Sequence, residues 1–206
     1  MRSTLVLAPL LALASSVVAP AFKSDEREQL AVVAAHPNQW YWFTLLLLAG
    51  SILFVPALLW IADLVRSRAP RLGEIGGALA VLGAIIAVGD VMTQFVSWQM
   101  VKGGADLTQM AAALDRFANA GGSSIVFTVG GLSILIGCVL LTVGLIRHHL
   151  APAWAAVGLS AAVLVNIVGF SAASNAVVAA SWVLLLVSMG ALAARPSVLQ
   201  PAVAGA

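Results

Sequence analysis

Long runs of apolar residues, separated by short polar connections, dominate the hydrophobic pattern of the chain. Six such segments occur, at about 5–21, 40–61, 73–96, 124–146, 153–173 and 177–194. The last five reach roughly the 17–25 residues that a helix needs to cross the hydrocarbon of a bilayer. In lipid a helix satisfies all of its own backbone hydrogen bonds, so the pattern predicts an all-α, integral membrane helical bundle.

The first segment admits two interpretations. Arg2, the apolar stretch after it and the small residues of Ala19-Pro20-Ala21 are compatible with a cleaved signal peptide. They are equally compatible with a short first span. We expect the helix to be retained, which gives six transmembrane helices in a single domain over residues 1–206. Cleavage would leave five.

Basic residues are distributed unequally between the two ends of the predicted bundle. With the N-terminus inside, the inner positions hold Arg2, Arg66, Arg68, Arg71, Arg147 and Arg195. The outer positions hold Lys23, Arg27, Lys102 and Arg116, together with Asp25, Glu26, Glu28, Asp106 and Asp115. The excess of inner arginines predicts that both termini of this multi-pass protein lie in the cytoplasm. Cleavage of the first segment would not change the orientation of the others.

The connection between the third and fourth spans predicts a short amphipathic helix. Asp106 can cap its first turn, and Gln109 completes a capping-box pattern. Leu107, Met110 and Leu114 then recur on one face. We expect this helix to lie on the outer membrane surface. The alternative is a plain connector with helical character.

Composition supports the membrane assignment and excludes several kinds of functional site. The chain is 62% hydrophobic and 9% charged, with a mean hydropathy of +1.06, whereas soluble domains carry about 25% charged residues. Cys138 is the only cysteine, which excludes an intramolecular disulfide and a cysteine-based zinc cluster. The small net charge of +2 does not suggest nucleic acid. We therefore predict no cofactor and no metal site.

Asp90 is the residue least suited to its apolar surroundings. It lies seven residues beyond Gly83 and fourteen beyond Gly76, so all three share one face of the third predicted span. Glycines at this spacing let a neighbouring helix approach closely. Asp90 is therefore predicted to point into the bundle and not into lipid. A second predicted seam, on the fourth span, consists of Gly130, Gly137 and Gly144.

Three further polar residues are predicted to share the site of Asp90. Gln94 follows it by one helical turn, and Asn166 and Ser171 lie on the fifth span at a similar depth. An acid inside a membrane usually has a function. We expect these residues to form an outward-facing site for a small ligand, an ion or a proton. The alternative is a hydrogen-bonded cluster that only holds helices together.

Three stretches carry a resemblance to a known group of proteins. They are Ala34-Ala35-His36-Pro37-Asn38-Gln39-Trp40, Arg68-Ala69-Pro70-Arg71-Leu72-Gly73, and Val143-Gly144-Leu145-Ile146-Arg147 with Pro152-Ala153-Trp154-Ala155-Ala156. With them the chain resembles a family of small multispan membrane proteins of unknown function, common in actinobacteria. The resemblance implies a helical bundle in a bacterial plasma membrane and supports keeping the first helix. It implies no activity and no catalytic residue.

Three classes of function remain open. The first is a non-enzymatic protein that binds or conducts a small ligand, ion or proton around Asp90. The second is an accessory or assembly subunit of a membrane complex. The third is a lipid- or isoprenoid-modifying enzyme, which ranks last because no nucleophile, metal cluster or histidine lies at the depth of Asp90. Expected partners are membrane lipids, and a homo-oligomer or a membrane protein partner is possible.

Overall fold

The computed structural model describes residues 2–104 and 106–194, and all regular structure within them is helical. The helices are α1 (Thr4–Val18), α2 (Glu26–Ala35), α3 (Pro37–Arg66), α4 (Pro70–Met100), α5 (Leu107–Asn119), α6 (Gly121–Arg147), α7 (Ala153–Ser171) and α8 (Asn175–Ala193). Lys102–Gly104 form one 3₁₀ turn between α4 and α5.

Five of these helices, α3, α4, α6, α7 and α8, are long and apolar enough to cross a membrane. The chain is thus a helical, multi-pass membrane protein. Helices α3 and α4 extend several residues beyond the predicted segments 40–61 and 73–96. Hydropathy marks only the part of a helix suited to hydrocarbon, whereas backbone hydrogen bonding continues into polar surroundings. The apolar helix α1 has 15 residues and ends two residues before Pro20.

Six helices form a closed ring in which each packs mainly against two neighbours, in the order α4, α6, α7, α8, α1 and α3, and α3 also contacts α6. Helix α1 closes this ring between α8 and α3. Its contact with α3 depends on Gly50, where an added Cβ would lie only 3.0 Å from the carbonyl oxygen of Ala8. Small residues on both helices therefore allow the backbones to approach closely.

The contact between α4 and α6 is formed by the glycines of the two predicted seams. A Cβ on Gly83 would lie 2.5 Å from the backbone nitrogen of Ile134 and 2.6 Å from the carbonyl oxygen of Gly130. One heptad earlier, a Cβ on Gly76 would lie 3.2 Å from the carbonyl oxygen of Gly137. The two helices are thus antiparallel, with backbone against backbone. Gly144, the last member of the α6 seam, faces Val65 of α3 instead.

The two ends of the ring differ in charge. Helix polarity and the antiparallel order place Arg66, Arg68, Arg71 and Arg147 at one end, here called the arginine end. Arg2 lies there too, because its guanidinium is 5.9 Å from the centroid of the Trp60 ring near the end of α3. Arg195, also predicted for this end, lies outside the described residues.

The opposite end carries α2 and α5, which contact each other and together form what we call the cover. The predicted helix after Asp106 is present as α5, and the Asp106 carboxylate accepts hydrogen bonds from the backbone nitrogens of Thr108 at 2.8 Å and Gln109 at 3.4 Å. Asp25 caps α2 in the same way, through the nitrogen of Glu28 at 2.9 Å. Both covering helices thus begin at an acidic cap.

Apolar packing fills the half of the ring nearer the arginine end. Its largest fully buried side chains include Leu58, Ile61, Leu141, Leu159 and Met189. A smaller cluster around Trp40, Phe43 and Leu47 lies towards the cover. Between the two clusters the ring is not filled, and this space positions the candidate site.

Substitution of Gly83 tests the α4–α6 contact, with Gly89 as a matched control on the same helix. Alanine should favour an isolated helix at both positions by up to about 1 kcal/mol. At Gly83 the new methyl group would collide with the backbone of α6, whereas at Gly89 it meets nothing within 4 Å. We expect Gly83→Ala to lower the free energy of unfolding by about 1–3 kcal/mol and Gly89→Ala to leave it unchanged or raise it.

Thermal unfolding of both variants in the same detergent measures the difference. Equal melting temperatures for Gly83→Ala and Gly89→Ala would contradict the close α4–α6 contact.

Candidate functional site

A cavity of about 630 Å³ lies inside the ring, between the apolar packing of the arginine end and the cover. All six ring helices contribute to its wall, and residues of α2 and α5 border it as well. Cavities of this size are typical of sites for small molecules, which are mostly apolar with a few polar groups. The cavity is therefore the candidate site of the protein.

The structure places all four of the predicted ligand-binding residues on the wall of this cavity. Asp90 and Gln94 reach it from α4, and Asn166 and Ser171 reach it from α7. They come together because α4 and α7 lie on different sides of the ring with the cavity between them. No hydrogen bond joins one of the four side chains to another in the part of the chain that the structure describes. Their role in binding stays a prediction.

Two of the four have structural partners of their own. The Asn166 amide donates to the hydroxyl of Ser181 on α8 at 2.8 Å, and that hydroxyl donates to the carbonyl of Val178 at 2.6 Å. Asn166 thus joins α7 to α8. At Gln94 the main chain makes the link, because its carbonyl accepts from the Trp40 indole nitrogen at 3.0 Å. Both contacts hold the wall of the cavity in place.

Asp90 is the one member of the four predicted residues that carries a charge. Its carbonyl oxygen accepts a hydrogen bond from the Thr93 hydroxyl at 2.6 Å, but no described side chain or backbone group pairs with its carboxylate. The side chain is exposed on the cavity wall. An acid in a largely apolar cavity without a partner is costly unless water or a ligand compensates it. Asp90 is thus the lining residue whose charge most needs a partner from water or a ligand.

Several residues of the site were missing from the sequence-based prediction. The cavity is also bordered by Lys23 in the connection before α2, by Glu26 and Gln29 of α2, and by Trp182 of α8. The Gln29 amide nitrogen and the Trp182 indole nitrogen are buried without a hydrogen-bond partner among the described residues. Both residues therefore border the cavity with other atoms, because these two nitrogen atoms are covered by their neighbours.

Asn175 anchors the segment that carries these missed residues. Its amide donates to the carbonyl of Pro20 at 2.9 Å, and its side-chain oxygen accepts from the backbone nitrogen of Phe22 at 2.9 Å. The Phe22 ring lies 5.5 Å from the ring of Phe43 and 5.6 Å from that of Phe170, between centroids. The connection from α1 to α2 is thus fixed to the first turn of α8, directly beside the cavity.

Negative charge concentrates where the cover meets the cavity. Partial burial raises the pKa of Glu26 above its usual value, and the carboxylates of Asp115 on α5 and Asp25 raise this pKa further. Ionisation of Glu26 is therefore less favourable when α2 and α5 are in contact than when they are apart. The contact should be strongest at acidic pH and weaken as the pH rises through the raised pKa.

The described residues contain no group of three or more His, Cys, Asp or Glu side chains that could hold a metal ion. Cys138 is fully buried in the apolar packing and does not border the cavity. Comparison of the chain with protein-family models, with curated proteins and with solved structures finds no match. Interpretation of the site therefore depends on its own geometry.

The charge at the cover gives a pH-dependent prediction with a matched control. Glu26→Gln removes the repulsion from Asp115, so we expect slower hydrogen exchange of the α2 amides at neutral pH and no change at acidic pH. Glu28→Gln removes a charge from the same first turn and controls for the effect of the helix dipole.

Protection factors of the α2 amides, compared at two pH values, measure this effect. The same change in Glu28→Gln as in Glu26→Gln, or a change that persists at acidic pH, would contradict the role given to Glu26.

Proposed function

We propose that this protein is a non-enzymatic membrane protein that binds a small molecule in the cavity lined by Asp90. The observation that carries the proposal is the cavity itself. It holds the Asp90 carboxylate, for which the described residues provide no partner, within a wall that is mostly apolar. Unmet polar groups in such surroundings favour a ligand that satisfies them.

Binding is better supported than conduction. The half of the ring near the arginine end is filled by buried apolar side chains, among them Leu58, Leu141 and Met189. An ion or a proton would need polar groups or water along this path. The cavity thus resembles a pocket with one closed end, which suits a bound molecule.

An enzyme remains the weakest alternative. The cavity wall holds carboxylates, amides and hydroxyls, but it includes no histidine or cysteine. A single acid with no adjacent nucleophile or metal ligand offers little for catalysis. An accessory subunit stays the second alternative and is separated from ligand binding by the measurements below.

The proposed topology has six crossings in a bacterial plasma membrane, with the arginine end in the cytoplasm and the cover outside. The arginines at one end support this orientation through the positive-inside rule. Helix α1 supports the sixth crossing because it fills a place in the ring between α3 and α8. Its 15 residues are short for a span, but the apolar stretch continues to Ala21. The resemblance to actinobacterial membrane proteins is consistent with this arrangement.

Asp90→Asn tests ligand binding, with Asp63→Asn as its control. Asp63 lies near the end of α3, outside the cavity. We expect the wild-type protein released from nanodiscs to carry a small-molecule adduct by native mass spectrometry. A charge-assisted hydrogen bond contributes about 1.5–3 kcal/mol, so Asp90→Asn should lower occupancy by roughly tenfold or more at limiting ligand.

The control Asp63→Asn should retain the adduct. An adduct of equal abundance in Asp90→Asn would make Asp90 a structural residue. A wild-type protein without an adduct, but in a stable complex with another subunit, would favour the accessory alternative.

Single cysteines test the orientation, because Cys138 is fully buried and should not react in the wild type. We expect Thr108→Cys, in the cover, to react with a membrane-impermeant maleimide in intact cells. Ser3→Cys and Ser67→Cys, at the arginine end, should react only after permeabilisation. Labelling of Ser3→Cys in intact cells would contradict the crossing of α1, and reversed labelling of the other two would contradict the orientation.

A further inference from the structure

The cavity is long and narrow. On α4 its lining residues extend from Gly83 to Ser97, and on α3 they extend from Trp40 to Phe54. Each of these stretches corresponds to roughly 20 Å at the α-helical rise of about 1.5 Å per residue. With a volume of about 630 Å³, the space has the proportions of an extended chain and not of a compact ring system.

Polarity changes along the length of the cavity. Near the cover the wall contains Asp90, Gln94 and Ser97 of α4 and Glu26 of α2. Towards the arginine end it contains Ala84, Ala162 and Leu185, which are all buried and apolar. A molecule that matches this wall has a polar head at the cover and an apolar tail at the closed end.

The charges near the cover specify the head. Asp90 and Glu26 border the cavity as acids, and Lys23 is the only basic residue among its described lining. No ion pair between any of these three occurs in the described residues, where the ion pair found joins Arg66 and Glu74. The net charge of these three side chains is negative, so a cationic group on the ligand would be complementary to it.

The wall of the cavity between α6 and α7 differs between its two ends. Near the arginine end the Thr142 hydroxyl joins these helices, through the carbonyl of Ala156 at 2.8 Å and the hydroxyl of Ser160 at 2.7 Å. Towards the cover, Gly131 borders the cavity yet a Cβ there would meet nothing within 4 Å. Opposite, Phe170 borders the cavity and is 40% exposed. The two helices are thus joined by hydrogen bonds near the arginine end and leave space beside the cavity towards the cover.

We propose that the cavity holds one membrane amphiphile with a single long aliphatic chain and a cationic amine head. The chain lies towards the closed end, the amine lies near Asp90 and Glu26, and the molecule reaches the cavity from the bilayer between α6 and α7. This assignment of a ligand class rests on the proposed function.

Quenching of tryptophan fluorescence by brominated probes tests the ligand class. The probes are a long-chain primary amine, the alcohol and the carboxylic acid of equal chain length, each brominated near the chain end. They are titrated into the protein in nanodiscs of uncharged phosphatidylcholine. Trp182 borders the cavity, so the difference between wild type and Trp182→Phe isolates quenching inside it from quenching in the surrounding bilayer.

We expect saturable quenching by the amine, at least about tenfold tighter than by the alcohol, with the acid weakest. Asp90→Asn should remove the preference for the amine and leave the affinity for the alcohol unchanged, and Asp63→Asn should change neither. Affinities are expressed per mole fraction of probe in the bilayer, because the chain enters the cavity from lipid and not from water, so shortening the chain should change this affinity little. A chain longer than the cavity should bind more weakly.

Equal affinities for the three probes, or an amine preference that survives in Asp90→Asn, would overturn the cationic head. A chain longer than the cavity that bound as tightly as a shorter one would overturn the placement of the aliphatic chain in a closed cavity. No saturable quenching by any probe would overturn the amphiphile as a whole. In each case an adduct in native mass spectrometry that is lost in Asp90→Asn would still support ligand binding, so the two proposals fail separately.

Discussion

Backbone contact between α4 and α6 is the constraint on which the cavity depends. Gly76 faces Gly137, and one heptad later Gly83 faces Gly130. The same antiparallel register, continued by another heptad, would bring Asp90 opposite Ser123. There the contact has ended, because Cβ atoms on Gly121 and Gly122 would meet nothing within 4 Å. A carboxylate cannot occupy a glycine seam without a large desolvation cost. The helices therefore separate where the acid begins, and the separated face becomes a wall of the cavity.

The features that the sequence predicted well are those that depend on local pattern. Helical class, five long apolar helices and the acidic cap at Asp106 follow from hydropathy, spacing and side-chain chemistry within a few residues. The bounds of α3 and α4 were underestimated because polar residues prolong a helix after its apolar part has ended. The ring order was not predictable, since contacts such as Gly50 with Ala8 involve small residues whose partners no periodicity specifies.

For the site, local sequence features predicted some of the lining residues, whereas long-range contacts determine the others. Asp90 stood out because a charge in an apolar segment is visible in the sequence. Lys23, Glu26 and Gln29 did not, because they lie in an ordinary polar connection and reach the cavity only through the bonds of Asn175 to Pro20 and Phe22. Asn166 was singled out for its polarity, yet the same polarity serves a bond to Ser181. The chemistry of a residue was predictable, whereas its partner was not.

The two halves of the ring combine opposite properties, and this combination favours a binding role. Near the arginine end, close packing of large apolar side chains stabilises the bundle and closes the cavity. Near the cover, the ring is less tightly packed and leaves the carboxylate of Asp90 without a partner among the described residues. Empty space and unpaired polar groups both lower stability. A ligand that filled the space and paired with these groups would recover both contributions at once, and it would stabilise the folded protein by mass action.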